Sequence, residues 1–473
     1  MSSLRRLMGL SATAVSGRSL SACLRRSLST AAAVSGRPFS TAAASSSHPP
    51  WAIIDYTTAV DWTSSAPGVC FVPEDPPAVS SIFAPAHLVD PTARPTAANT
   101  KVRYLAGNVV QVVFGDVGAT SGDGHLLLSY REIRAEGPVT LSTLAGNPEV
   151  DRFVCNPLTG QVLRLPDFAG SRRYFVMHHM GLLTQADGAL GCGPPDRFAV
   201  AEFVLNGAAI VRFLSEEGKW RTVRPVHGDP SLPRPMAMNQ ETVAFGGRLW
   251  WVDLTVGAVS VDPFADRPEI RFVELPSGSV LPERARADEG DFRKAEENVM
   301  FMREVAKHRR IGVSDGRLRY AEVSPHEPFL LSSYALDDDE RSGWKLEHQV
   351  ALRHVLADGG YPWGQNSAPQ IAVLDPLVGS VIYIKAGEDV VVVDMHNGRV
   401  IGASPLEEEY NYLVPCLLPP WLGASRIPMA GFLELIEGWC YIGKEAAASL
   451  SNSHFGGSLE KFGWVYCSLL INY

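Results

Sequence analysis

Residues 312–316 read Gly312-Val313-Ser314-Asp315-Gly316, the G-x-S-x-G spacing that in a nucleophile elbow exposes a serine hydroxyl over an oxyanion hole. An elbow needs a strand entering and a helix leaving. Here a helical pattern enters and the strand-like RLRYAEV leaves, so the stretch reads as a turn. His178-His179 suggests metal, but strand neighbours point to opposite faces and cannot share an ion without a bulge. One buried and one solvated histidine is the expectation. Asp337-Asp338-Asp339-Glu340 clusters oxygens as calcium demands, yet lacks the alternating spacing and closing glutamate of a calcium loop. Lying between LLSSYAL and WKLEHQVAL, it reads as a solvated hairpin turn. Cys155 and Cys192 have no legible base partner. His326-Glu327 runs into Pro328, so HExxH is absent, as are GxxxxGK[ST] and GxGxxG.

Trp250-Trp251-Val252-Asp253 combines aromatic platforms with a carboxylate. Strand alternation places Trp250 and Val252 on one face and Trp251 and Asp253 on the other. The expectation is a hairpin between packed sheets, with Asp253 bonded to a neighbouring turn. A ligand platform on Trp251 is the alternative. The sequence therefore nominates no catalytic, cofactor-binding or metal-ligating residue, and no cofactor.

The elements that would position such residues are mostly short strands separated by turns. VRYLAGNVVQVVFGD supplies two strands, HLLLSYREI one, and RFVCNPLTGQVLRLP a pair around Asn156-Pro157 and Gly160. FAVAEFVLNGAAIVRFLSEEGKWRTVRPV supplies three, around Asn206-Gly207 and Glu217-Gly218. IAVLDPLVGSVIYIKAGEDVVVVDMHNGRVIG offers four, with Asn397-Gly398 as a type I′ signal. Its VVVV run predicts a strand covered on both faces. One amphipathic helix is expected near 289–311. There Phe292, Ala295, Val299, Met302 and Ala306 make one stripe, acids gather at the start, and Lys307 to Arg310 gather at the end. Asp or Asn before Pro recurs at Asn156, Asp262 and Asp375, in segments of roughly 40–60 residues that suggest stacked blades. The predicted class is mainly β, a propeller-like body of about six small antiparallel sheets. A pair of two-sheet sandwiches is the alternative.

Net charge is −9, yet residues 1–54 carry Arg5, Arg6, Arg18, Arg25, Arg26 and Arg37 and no acid. The remaining chain is thus more acidic still, which disfavours nucleic-acid or anionic-membrane partners. Leu20, Leu24 and Leu28 share one helix face and the arginines lie opposite, the pattern of an organelle transit peptide. Residues 1–45 are read as that address, disordered, with a mitochondrial destination first and a chloroplast second. The plain alternative is an Ala/Ser tail that targets nothing. Residues 49–430 would form the β body, and 431–473 a segment packing on or closing it. No run reaches the roughly 18 apolar residues of a membrane-spanning helix. The seven scattered cysteines, without a CxxC pair, predict reduced and mostly buried thiols.

WAIIDY, GRLWWVDLTVGAVSVDPFADRPEIRFVELPSG, DGRLRYAEVSPHEPFLLSSYALDDDERSGWKLEHQVAL, IAVLDPLVGSVIYIKAGEDVVVVDMHNGRVIG and LLPPWLGASRIP follow one another over residues 50–430. In order and wording they resemble the plant domain of unknown function 1618 family, expanded in grasses. More distantly they are similar to F-box-associated propeller-like domains, in which an N-P-x-T strand pair precedes a leucine-proline exit. Asn156-Pro157-Leu158-Thr159 and Leu165-Pro166 match that pattern. The resemblance implies architecture and plant origin and carries no catalytic residues. The functional expectation is a non-enzymatic scaffold that binds another protein. The alternatives are a propeller hydrolase or lyase with a non-local axial site, and a nucleic-acid binder, which would need a continuous basic face.

Overall fold

The structure, a computed structural model, describes residues 48–90, 102–104, 109–136, 149–167, 180–186, 193–204, 209–225, 232–238, 240–284, 292–337, 343–361, 368–406 and 412–428. All belong to the unit His48–Tyr473. The expectations for residues 1–45 and 431–473, His178-His179, Cys192, Asn206-Gly207 and Asp338 to Glu340 lie outside the described residues.

Apolar and alternating runs form strands because pairing is the only way to satisfy their backbone while their side chains are buried. The chain begins with β1 (Trp51–Asp55), β2 (Thr57–Asp61), β3 (Cys70–Val72), β4 (Val79–Pro85), the short helix α1 (Ala86–Val89) and β5 (Val102–Tyr104). Blade 1 is the meander β6 (Val109–Thr120), β7 (Leu126–Glu136), β8 (Glu149–Cys155) and β9 (Val162–Arg164). Blade 2 is β10 (Met180–Gln185), β11 (Arg197–Val204), β12 (Ala209–Leu214) and β13 (Lys219–Val223). Blade 3 is β14 (Val243–Phe245), β15 (Arg248–Asp253), β16 (Gly257–Val261) and β17 (Arg271–Glu274). Helix α2 (Phe292–His308) leads into blade 4: β18 (Arg309–Ser314), β19 (Arg317–Val323), β20 (Leu330–Leu336) and β21 (Trp344–Ala351). After α3 (Leu352–Asp358), blade 5 is β22 (Gln370–Leu374), β23 (Val381–Ala386), β24 (Asp389–Asp394) and β25 (Arg399–Pro405). The last strand, β26 (Leu413–Leu417), pairs antiparallel with β1, Trp51 opposite Leu417 and Asp55 opposite Leu413.

That pairing creates a sixth blade from both ends of the body, in the order β26, β1, β4, β3. The first strands β6, β10, β14, β18 and β22, with β26, touch in sequence, and β26 returns to β6. The protein is mainly β and propeller-like, as expected. Two refinements apply. Blade 1 and the closing blade form one continuous hydrogen-bonded sheet, because β2 pairs with both β4 and β6. The sheets are also not wholly antiparallel: β1 and β2 run parallel to β4, since the chain bends at Tyr56 and returns through a long connection.

Apolar layers fill the spaces between blades. Trp250 and Val252 enter the cluster facing blade 4 with Leu318 and Tyr320, whereas Trp251 enters the one facing blade 2 with Phe203. The VVVV run divides likewise: Val391 and Val393 pack with blade 4, Val390 and Val392 with Trp51 and Ile53. Strand periodicity of two accounts for both.

Two boundaries depart from the sequence reading. The helix stops at His308, and Arg309 to Ile311 belong to β18. Ile311 is needed in the core, and Arg309 donates to Leu254 O (3.0 Å) and Ser279 O (2.5 Å), which favours extended backbone. Ala306 of the stripe is buried and Val299 is 49% exposed, so among the described side chains the stripe docks at the C-terminal end of the helix. The side chains of Phe292 and Ala295 lie outside the described set. At Asn397-Gly398 the turn is four residues, 395–398, with positive φ at Gly398 and not at Asn397. Asp394 stabilises this longer turn by accepting from His396 N (3.0 Å) and Asn397 N (3.3 Å).

Candidate functional site: a paired polar network at the ring axis

Among the described residues the inner edges of β10, β14, β18 and β22 have no strand neighbour, so their backbone groups need other partners. Side chains from adjacent blades supply them. Just before β14, Gln240 acts as a surrogate strand: Ile311 N donates to Gln240 Oε1 (2.8 Å), and Gln240 Nε2 donates to Ile311 O (2.5 Å). Next to it in the chain, Glu241 faces Arg310 of β18 at 2.7 Å, with both side chains under a tenth exposed. Arg310 also donates to Leu413 O of β26 (2.6 Å) and Ala372 O of β22 (3.2 Å). Its guanidinium lies 4.0 Å from the centroid of the Tyr412 ring, and Tyr412 donates its hydroxyl to Glu241. Four blades thus meet at one cation.

The network continues. Tyr412 meets Tyr56 edge to face, centroids 6.2 Å apart, while Tyr56 N donates to Tyr412 O (2.9 Å). Tyr56 bonds to Asp116 of β6, which forms an ion pair with Arg131 of β7. Burial pushes the Asp116 carboxyl above its ordinary range despite Arg131. Burial first, and Asp116 second, push the Tyr56 phenol well up. Burial likewise raises Tyr412, with Arg310 opposing and Glu241 adding. Such phenols remain protonated donors and are poor nucleophiles or bases near neutrality. Carboxylates do converge on the axis, but each meets an arginine and a tyrosine.

The expected motifs go elsewhere. Ser314 is buried at the end of β18 and donates to Asp375 O (2.5 Å), and Asp315-Gly316 forms a two-residue turn with φ of 51° and 67°. Gly312 to Gly316 is therefore a strand entering a hairpin, not a helix entering a turn, and its serine is occupied. Asp253 accepts from Ala237 N (2.7 Å), Thr255 N (2.9 Å) and Thr255 Oγ1 (2.5 Å), the turn bonding expected of it. Burial pushes the Cys155 thiol well up, next to the equally buried Cys416. Cys70, Cys155 and Cys416 are free thiols. Among the described residues no group of three or more His, Cys, Asp or Glu is placed to hold a metal ion. No described helix is long and apolar enough to cross a membrane.

Asn156, from the N-P-L-T stretch, is fully buried. Its Nδ2 donates to Leu422 O (2.9 Å) and Ser425 O (3.2 Å), and its Oδ1 accepts from Leu158 N (3.1 Å) and Thr159 N (3.3 Å). Beyond it, Ile427 N donates to Gln161 Oε1 (2.9 Å), and the Ile427 side chain enters the apolar layer between blades 1 and 2. The segment after β26 is thereby strapped onto blade 1. Neither Glu241 nor Arg310 carried any sequence signal, because 69 positions separate them. The mixed polar and apolar Arg309-Arg310-Ile311 ahead of a turn was the one available hint.

No curated protein matches the chain. Among solved structures it is similar to the β-propeller domain of Cps50 (Swd1) from Myceliophteria thermophila, at 11% identity and a TM-score of 0.31, covering 66% of this chain and 88% of that one. It is also similar to apo AztD from Citrobacter koseri, at 10% identity and a TM-score of 0.28, covering 76% and 81%. A third is BamB from Moraxella catarrhalis, at 9% identity and a TM-score of 0.25, covering 68% and 95%. Residues 251–385, from β15 to β23, match the model of the family described as protein of unknown function (DUF1618), and this match supports that domain family for the central blades of the chain.

Proposed function

We propose that the chain is a non-enzymatic scaffold that binds another protein, and that residues 1–45 carry it into mitochondria, with the chloroplast as the second destination. The observation that supports the scaffold reading is the state of the axis. Glu241, Arg310, Tyr412, Tyr56, Asp116 and Arg131 satisfy and neutralise one another. A hydrolase or lyase needs an acid, base or nucleophile free to meet substrate. Beside this closed axis, the turn joining β22 to β23 presents Leu377 and Val378, 45% and 47% exposed, directly after the axial residue Pro376. An exposed apolar tip on a rigid hairpin is a suitable anchor for a partner protein. The import reading is supported by six arginines without an acid ahead of Asp55.

The test is affinity capture of the tagged full chain from fractionated cells, with Leu377→Glu/Val378→Glu as the paired control. The reading predicts recovery from mitochondria of a partner that the double variant loses. Recovery of the chain only from cytosol or nucleus overturns the import reading. A partner set unchanged by the variant, or none, overturns the scaffold reading.

A further inference from the structure

Blades 4 and 5 are joined differently toward the axis and at their outermost strands. Toward the axis, hydrogen bonds pin the seam: Arg310 donates to Ala372 O (3.2 Å), Ser314 Oγ to Asp375 O (2.5 Å) and Asp315 N to Pro376 O (3.0 Å). Farther out lies an apolar layer in which Val350 of β21 and Val400 of β25 pack with the buried Met395. Beside that layer two histidines meet. The half-buried His348 of β21 and the exposed His396 of the 395–398 turn touch edge to face, ring centroids 6.2 Å apart and planes at 89°. His348 is two residues from Val350, so strand alternation turns both toward blade 5.

The carboxylates around this pair are already committed. Glu347 accepts from Arg317 (2.7 Å) and Arg319 (2.5 Å). Asp394 accepts from His396 N, Asn397 N and Asn397 Nδ2 (2.6 Å), with Arg399 adding positive charge beside it. Helix α3 packs on the same layer and carries Arg353, paired with Glu327, together with His354 and Asp358, all three exposed. Burial, chiefly, holds the His348 ring below the ordinary histidine value; Glu347 opposes this, Arg319 and His396 reinforce it, and Asp394 opposes it more weakly.

We propose that this seam is a proton-sensitive latch: charging His348 releases its ring from His396 and loosens β21 from the 395–398 turn. Linkage fixes the sign. The closed seam disfavours the charged ring, so it binds fewer protons than the open one. It is therefore fully favoured above the ordinary histidine value of about 6.5 and loses ground as pH falls below it. The latch is independent of the scaffold reading, which rests on the axis and on the turn joining β22 to β23.

The test is amide hydrogen exchange on the full chain from about pH 8 to about pH 5, the range in which histidine changes charge, corrected for the intrinsic pH dependence of exchange. NMR titration of the labelled His348 ring accompanies it. Exchange in residues 344–351 and 395–400 should rise severalfold toward acid, while β18 at the axis changes little. His348→Gln removes the titrating ring and flattens the response, whereas His354→Gln on exposed α3 leaves it intact. His396→Gln raises the midpoint of the His348 ring, because one influence against its charge is gone. A seam whose exchange ignores pH, a response that survives His348→Gln or vanishes in His354→Gln, or a His348 midpoint unmoved by His396→Gln overturns the proposal. Should His348→Gln fail to fold, the wild-type ring decides: a midpoint at or above the ordinary value overturns it as well.

Discussion

Arg310 and Asn156 both tie the end of the body to a distant blade, one by charge and one without it. Arg310 holds Leu413 of the closing strand from the axis, and Asn156 holds Leu422 and Ser425 from the face of blade 1. The cation requires company: a carboxylate, two carbonyls and an aromatic face gather around it, drawn from three other blades. The amide needs only carbonyls, the Ser425 hydroxyl and its own turn. Desolvation sets the difference, since a buried charge costs several kcal/mol unless compensated, and a buried amide costs far less. The axial contact is therefore the more cooperative, and the strap the more local.

Removing one side of the axial pair should break this comparison most visibly. Arg310→Ala strands Glu241 in the interior and should lower stability by roughly 3–5 kcal/mol, read as a drop in the urea midpoint. Asn156→Ala removes a donor from the Leu422 and Ser425 carbonyls and the acceptor of Leu158 N and Thr159 N, and should cost about 1–3 kcal/mol. It should also raise amide exchange in residues 418–428 selectively, whereas Arg310→Ala raises it in the first strands of several blades.

Titration sharpens the contrast. Burial holds the Asp116 carboxyl above its ordinary value. The folded chain therefore takes up that proton before the unfolded chain does, so this group adds stability as pH falls from neutrality toward about 4. Glu347 does the opposite: burial opposes its charge, but Arg319 and Arg317 overcome this and hold it below the ordinary range. Its contribution is present above the unfolded value and is lost as pH falls through the folded one. Urea midpoints from pH 7 to 4 should fall more steeply with acid in Asp116→Asn than in wild type, and less steeply in Glu347→Gln. The smallest effect is expected on α2, where Met300 is 51% exposed and Met300→Gln should change stability by no more than about 0.5 kcal/mol.

The strands and the hairpins were legible because their signals are local. Trp250 and Trp251 sort to opposite faces as period two requires, and the valines of β24 do the same. What escaped is long-range. The parallel pairing of β1 with β4, the fusion of two blades through β2 and the axial pair follow from ring closure. The mistaken helix end has the same origin: Arg309 and Arg310 suit a helix C-terminus, and tertiary partners claim them for a strand. The GxSxG stretch was correctly read as a turn, although its entering element is β18.

The central claim is that the axial charges exist to satisfy each other. A double-mutant cycle on Arg310→Met and Glu241→Gln, measured by urea unfolding, tests it most directly. The account predicts that each single change costs more than the pair of changes together warrants, with a coupling energy of about 2–3 kcal/mol. Additive losses, with coupling near zero, would contradict it and return the axial carboxylates to the list of groups free for chemistry.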